Sequence, residues 1–174
     1  MFGKTFARKN TSKWLISWQL GYTLSMTKNI QNIIEKEIPI VKSMGVEFVE
    51  FTDLSCMISV PLGPNHNHKG TVFGGSLYSV CTSACYGLMY SLQISENLHD
   101  YDLVIGEGAI RYQKPVHGDF HVRSQIKLSD KKIFLEKLAK NGFSKIHITA
   151  YVFIQDEGAH LCEYTATFIM MKKK

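Results

Sequence analysis

From Gly70 through Ser95 the chain has no Lys, Arg, Asp, Glu or His, although 20% of its residues are charged. A charge-free stretch of that length reads as a helix buried over most of its surface. No Cys-x-x-Cys pair occurs among Cys56, Cys81, Cys85 and Cys162. His66, His99, His117, His121, His147 and His160 show no metal-ligand spacing, so no metal is expected. The cysteines read as small buried hydrophobes of a reducing compartment, which implies a cytoplasmic protein. No uniformly apolar run reaches the length of a membrane span, so stable membrane insertion is not expected. Linkers, low-complexity segments and internal repeats are also lacking. The 174 residues suffice for one domain with a core.

Charge is scarce in one sign at the start. No acidic residue precedes Glu35, whereas Lys4, Arg8, Lys9 and Lys13 do, and Lys172, Lys173 and Lys174 close the sequence. The net charge of +5 is therefore concentrated at the ends. Such ends suit nucleic acid, an acidic lipid surface or a polyanionic ligand, or are simply solvated termini. No basic and aromatic interleaving follows a nucleic-acid module, so no nucleic-acid partner is expected. Residues 1–25 read as a poorly defined basic extension and residues 26–174 as a single domain. The extension holds Trp14 and Trp18 and lacks the apolar core of a secretory signal. A transit-like or membrane-touching helix, or a start at Met26, stays open for it.

Thr27 to about Val41 predicts a helix with Ile30, Ile33, Ile34 and Ile38 on one side, kinked or restarted at Pro39 and ended by Gly45. Val46 to Val60 predicts one long strand or a bulged pair, with Cys56, Ile58 and Val60 alternating against Ser55, Met57 and Ser59. Ser76 is the expected N-cap of the central helix. Its apolar stripe is Leu77, Val80, Cys81, Ala84 and Leu88, and small residues recur at Ser79, Ser83 and Gly87. Further strands are expected at Leu103–Gln113, Phe120–Leu128, Ile146–Ile154 and Leu161–Met170, with a surface helix over Asp130–Lys140. No buried crossover helix separates the later strands. An α+β fold follows, a mainly antiparallel sheet wrapped about one helix.

Two blocks carry a family resemblance. Pro61-Leu62-Gly63-Pro64-Asn65 and Asn67-His68-Lys69-Gly70-Thr71-Val72-Phe73-Gly74-Gly75-Ser76-Leu77 form the first. Ile110-Arg111-Tyr112, Pro115-Val116 and Gly118-Asp119 form the second. Together they resemble the hotdog-fold thioesterases, in the subgroup also found as the C-terminal domain of a fused bacterial acetyltransferase. The resemblance spans about residues 30–170. It implies a long helix wrapped by a curved antiparallel sheet, and protomers paired sheet edge to sheet edge as a dimer or a dimer of dimers. It also implies hydrolysis of an acyl thioester of coenzyme A or a carrier protein. The coenzyme would be part of the substrate, with no separate cofactor.

Thioester hydrolysis needs a polarised carbonyl and an activated water or a carboxylate. The amides of Gly74, Gly75 and Ser76 suit the first task if they open the helix, or the glycines serve only a tight turn. In related phenylacetyl-CoA-type thioesterases a helix carboxylate follows the Gly-Gly turn, and Thr82 occupies that position here. The base must then come from elsewhere. His68 is a candidate for orienting water or acting as the base, with loop orientation as its plainer role, and Asn65 and Asn67 are candidates for binding water or a substrate amide. Glu107, between Gly106 and Gly108, is a candidate carboxylate or a solvent-facing strand residue. Asn67, Val72, Phe73 and Ser83 are expected to contact substrate, and Lys69, Arg111 and Lys114 to meet phosphate. Arg111 has a structural alternative in pairing with Glu107, and Asp119 in serving a hairpin turn. A noncatalytic acyl-CoA binding module, a dehydratase or isomerase of the same fold, and a basic surface-binding protein are the alternatives.

Overall fold

The computed structural model describes residues 27–154 and 160–174, and the basic extension of residues 1–25 lies outside them. Residues 27–37 form a helix, α1, and Ile38 leaves it. Pro39 then opens a second helix, α2 (Pro39–Ser43), at the first-turn position where its missing N–H costs nothing. Gly45, at φ 67°, ends this segment. The Val46–Val60 stretch resolves into a hairpin, β1 (Glu47–Phe51) and β2 (Ser55–Val60), with a register shift between Phe48 and Glu50. Then come α3 (Gly74–Ser95), β3 (Tyr101–Tyr112), β4 (Phe120–Gln125), α4 (Leu128–Asn141), β5 (Phe143–Phe153) and β6 (Cys162–Lys172).

The six strands form one antiparallel sheet in the order β1-β2-β4-β5-β6-β3. This is the hotdog arrangement that the motifs imply. Alternation places Cys56, Ile58, Val60, Phe120, Val122, Ala150, Val152, Tyr164 and Phe168 on the face against α3. From α3 the stripe Leu77, Val80, Cys81, Ala84 and Leu88 enters the same core. Burial all along such a helix explains why it carries no charge. Two details hold it close to the sheet. A Cβ on Gly87 would run into the Phe48 ring, so only glycine admits this contact. The buried Ser124 hydroxyl donates to the Ala84 carbonyl at 2.8 Å, tying β4 to the helix.

The outer edge of β1 is covered by Gln31 of α1. Its amide donates to the Val46 carbonyl at 2.9 Å, and its side-chain oxygen accepts the Phe48 N–H at 2.8 Å, as a neighbouring strand would. One expected strand end differs. Leu128 does not continue β4 but opens α4, with 52% of its surface exposed. Gly142, at φ 67°, closes α4 with its N–H on the Leu138 carbonyl.

Candidate active site at the start of the central helix

The loop before α3 is braced by its own polar side chains. Asn65 is 1% exposed, and its amide donates to the carbonyls of Met44 and Pro61, both at 2.8 Å. Its backbone carbonyl accepts the Phe73 N–H at 2.8 Å. Asn67 forms a local turn, its oxygen accepting the N–H groups of Lys69 at 2.8 Å and Thr71 at 3.3 Å. The Asn67 amide donates to the Thr71 hydroxyl at 2.9 Å. Asn67 thus shapes the loop with bonds already made, whereas Asn65 commits its amide and leaves its buried side-chain oxygen without a partner among the described residues. His68 and Lys69 are exposed on it.

The two sequence blocks meet at this point. Val72 is buried, and its N–H donates to the Val116 carbonyl at 2.9 Å. Asp119 accepts the Leu62 N–H at 2.8 Å, a link across 57 residues in place of the hairpin turn expected of it. The Tyr112 hydroxyl donates to the Gly74 carbonyl at 2.9 Å.

At the helix start the structure corrects the expected cap. Phe73 holds the N-cap position, with φ −65° and ψ 135°, and Ser76 lies inside the first turn. Among the described residues no side chain caps the helix, and no acidic residue stands in its first turn. Leu77 is the first α3 residue whose N–H reaches back, to the Phe73 carbonyl at 3.0 Å. The amides of Gly74, Gly75 and Ser76 therefore lack helical acceptors and carry the positive end of a 22-residue helix. Two exposed rings flank them, Phe73 at 57% and Tyr112 at 53%. A Cβ on Gly75 would collide with the Phe73 ring, so this residue lets the ring fold over the helix start.

A cavity of about 510 Å³ lies further along, between α3 from Tyr78 to Tyr86 and β3. Ile38, Ile40, Leu103, Ile105 and Phe168 give it apolar walls, while Tyr78, Ser79, Thr82 and Ser83 line the helix side. The serine hydroxyls turn back onto their own helix, Ser79 to Gly75 and Ser83 to Ser79. Thr82 behaves differently. It donates to the Tyr78 carbonyl at 3.0 Å and meets the hydroxyl of the buried Tyr164 at 2.8 Å. Burial pushes the Tyr164 phenol well above its ordinary range, so this hydroxyl keeps its proton. Neither Tyr78 nor Tyr164 stands out in the sequence, because their meeting depends on α3 crossing β6.

The strand candidates divide. Gly108 and Ile110 pair with Ala166 and Tyr164, which face the helix. Glu107 and Arg111 pair with Thr167 and Glu163 on the opposite face. A bulge between Ile105 and Glu107 accompanies this placement. The structure therefore does not bring Glu107 to the helix start. Arg111 faces Glu163 across the strands, an opposite-charge pairing. Lys114 is exposed beyond β3, its N–H on the Leu161 carbonyl. Among the described residues no group of three or more His, Cys, Asp or Glu is placed to hold a metal.

A long helix on an antiparallel sheet, with free first-turn amides and an apolar cavity beginning two residues beyond them, defines a hotdog protein of the thioesterase-like class. The chain belongs to the family described as "Putative thioesterase (yiiD_Cterm)", whose model matches residues 27–172. Among solved structures it resembles a protein of unknown function from Chlorobaculum tepidum TLS, at 25% identity and TM-score 0.76, covering 85% of this chain and 95% of that one. A thioesterase-named protein from Shewanella oneidensis shares the fold at 23% identity and TM-score 0.74, covering 86% and 99%. A protein named as a probable thioesterase from Pseudomonas aeruginosa does so at 16% identity and TM-score 0.72, covering 84% and 95%.

Proposed function

We propose that the protein hydrolyses acyl thioesters of coenzyme A, or related thioesters, to a carboxylic acid and a free thiol. The observation that carries this reading is the uncapped start of α3, with an apolar cavity beginning at Tyr78 on the same helix. The thioester carbonyl oxygen accepts from the amides of Gly75 and Ser76, which stabilise it as it becomes an oxyanion. The acyl chain lies in the cavity beside Ile105 and Phe168. Phe73 and Tyr112 flank the entering thiol arm. Water adds to the carbonyl carbon, the C–S bond breaks, and the water's proton passes by way of His68 to the departing thiolate. Asn65 and Asn67 hold the loop that carries His68, and Lys69 and Lys114 are the cations available to the phosphates.

The active assembly is proposed as a homodimer. Among the described residues β3 is an unpaired sheet edge, with Val104 and Ile105 43% and 41% exposed, and a second copy of the chain would cover it. Four unpaired cysteines fit a reducing compartment such as the cytoplasm. Among the described residues no helix is long and apolar enough to cross a membrane.

The test is thiol release from acyl-CoAs of increasing chain length, with Ile105→Trp narrowing the cavity. Turnover of long chains should fall at least tenfold relative to acetyl-CoA in that variant. The hydroxyl pair of Thr82 and Tyr164, where a carboxylate would be expected, favours a second reading, a noncatalytic acyl-CoA binder. Saturable binding with no thiol release from any chain length would establish it and refute the hydrolase.

A further inference from the structure

Two cavities lie along one face of α3. Tyr78, Thr82, Tyr86, Tyr90 and Ile94 recur every four residues and so share that face. Tyr78, Thr82 and Tyr86 line the apolar cavity already described, and Tyr86, Tyr90 and Ile94 line a second cavity of about 470 Å³. β3 runs past them in the reverse order, with Ile105 on the first cavity and Tyr101 and Asp102 on the second. Tyr86 from the helix, and Leu103 and Val104 from the strand, line both. The cavities therefore adjoin at the level of Tyr86. Its ring stacks on that of Tyr90, with centroids 6.0 Å apart and planes at 15°. The two spaces differ in chemistry, because Gln93, His99, Asp102 and Lys173 bring polar side chains to the second.

Resting on the thioesterase reading above, we propose that Tyr86 sets the length of the acyl chain, closing the apolar cavity against the polar one so that medium-chain thioesters are preferred. Tyr86 follows Ser76 by ten residues, about 15 Å along the helix axis. Helical side chains lean toward the N-terminus, so the ring stands nearer the reacting carbonyl than its own Cα does. An extended chain advances about 1.2 Å per bond, and about ten carbons then fill the path from the helix-start amides to the ring. A shorter chain leaves apolar wall uncovered. A longer one must displace the stacked ring or carry methylenes among polar side chains, where they gain less from burial.

The experiment measures free-thiol release from hexanoyl-, decanoyl- and palmitoyl-CoA on the full chain, below their micelle concentrations, with binding of each followed by calorimetry. Decanoyl-CoA should show kcat/KM at least tenfold above palmitoyl-CoA. Tyr86→Ala joins the two cavities and should bring that ratio close to one. Tyr86→Trp should move the preference from decanoyl to hexanoyl, and Tyr86→Phe, which keeps the ring, should keep the parent's ratio. A fold defect alone would lower all three substrates together. Equal turnover of decanoyl and palmitoyl chains by the parent, or a parent-like ratio in Tyr86→Ala, overturns this inference and leaves the thioesterase reading standing. A ratio lost in Tyr86→Phe overturns it too, since the hydroxyl and not the ring would then select. Binding without thiol release overturns the thioesterase reading, and the same ratios, taken from the affinities, then decide the inference.

Discussion

Asn65→Ala should behave as a structural lesion. The side chain is 1% exposed and holds two carbonyls, Met44 and Pro61, each at 2.8 Å. Each lost hydrogen bond costs about 0.5–1.5 kcal/mol net, and a carbonyl left buried without a partner costs about 1–3 kcal/mol. The Pro61 contact is only partly buried, so water relieves some of that penalty. The sum is a destabilisation of about 2–4 kcal/mol. For a domain of this size that lowers the melting temperature by roughly 4–16 °C. Asn65→Asp should be at least as damaging, because it turns an acceptor toward both carbonyls while preserving shape. His68→Ala, on the exposed part of the same loop, should stay within about 0.5 kcal/mol of the parent. Thermal and urea unfolding of the three variants measure this. If Asn65→Ala melts with the parent and yet loses turnover, Asn65 holds a reacting water rather than the loop, and the argument from its bonds fails.

Gly142→Ala should cost about 1 kcal/mol in urea unfolding, all of it backbone strain at φ 67°, since its Cβ would meet only Lys172 at 3.6 Å. Gly142→Asn should recover part of that loss, and equal stabilities for all three chains would refute the strain argument. Gly108→Ala should destabilise by about 1–3 kcal/mol through its clash with the Tyr78 and Tyr164 phenols, and a melt unchanged from the parent would show that they lie elsewhere. Burial holds the thiols of Cys56, Cys81 and Cys85 protonated well above their ordinary value of 9.0. Their folded pKa values are raised, so their contribution to stability is full below pH 9.0 and is lost as pH climbs beyond it and the unfolded chain ionises. These thiols should therefore react with a disulfide reagent at pH 8 only as fast as the protein opens. Rapid titration of all three without denaturant would contradict their burial.

The two periodicities carried most of the fold into view from sequence. Alternation at Cys56, Ile58 and Val60 reads directly as a half-buried strand, and the missing charge over Gly70–Ser95 reads as a buried helix. Both signals are local, since each residue reports on its own side of its own element. The site depends on long-range meetings that leave no local mark. Gln31 covering β1, Asp119 on Leu62 and Tyr112 on Gly74 are polar residues in ordinary surroundings until the chain folds. Glu107 shows the same limit more sharply. A bulge beside it is set by pairing with β6, and the face it takes cannot be read from β3 alone. Ser76 looked like a cap because serine commonly is one. Here the helix begins two residues before it, with a phenylalanine where the cap should be.

That phenylalanine makes the site's central claim testable in the opposite direction from a loss of stability. Phe73 already has the extended backbone of an N-cap and is 57% exposed, so Ser or Asp fits there without rebuilding the loop. Either side chain would accept from the amides two and three residues on, those of Gly75 and Ser76. Capping of this kind contributes about 0.5–2 kcal/mol, and the added carboxylate of Asp also meets the helix dipole favourably. If those amides receive the thioester oxygen, the same bond occupies the oxyanion site. Phe73→Asp should then be more stable than the parent and at least a hundredfold slower, a separation that general damage to the fold cannot produce. Phe73→Leu controls for loss of the ring and should keep most of the turnover. A Phe73→Asp chain that is both stabilised and fully active would show that the helix start does not bind the reacting carbonyl.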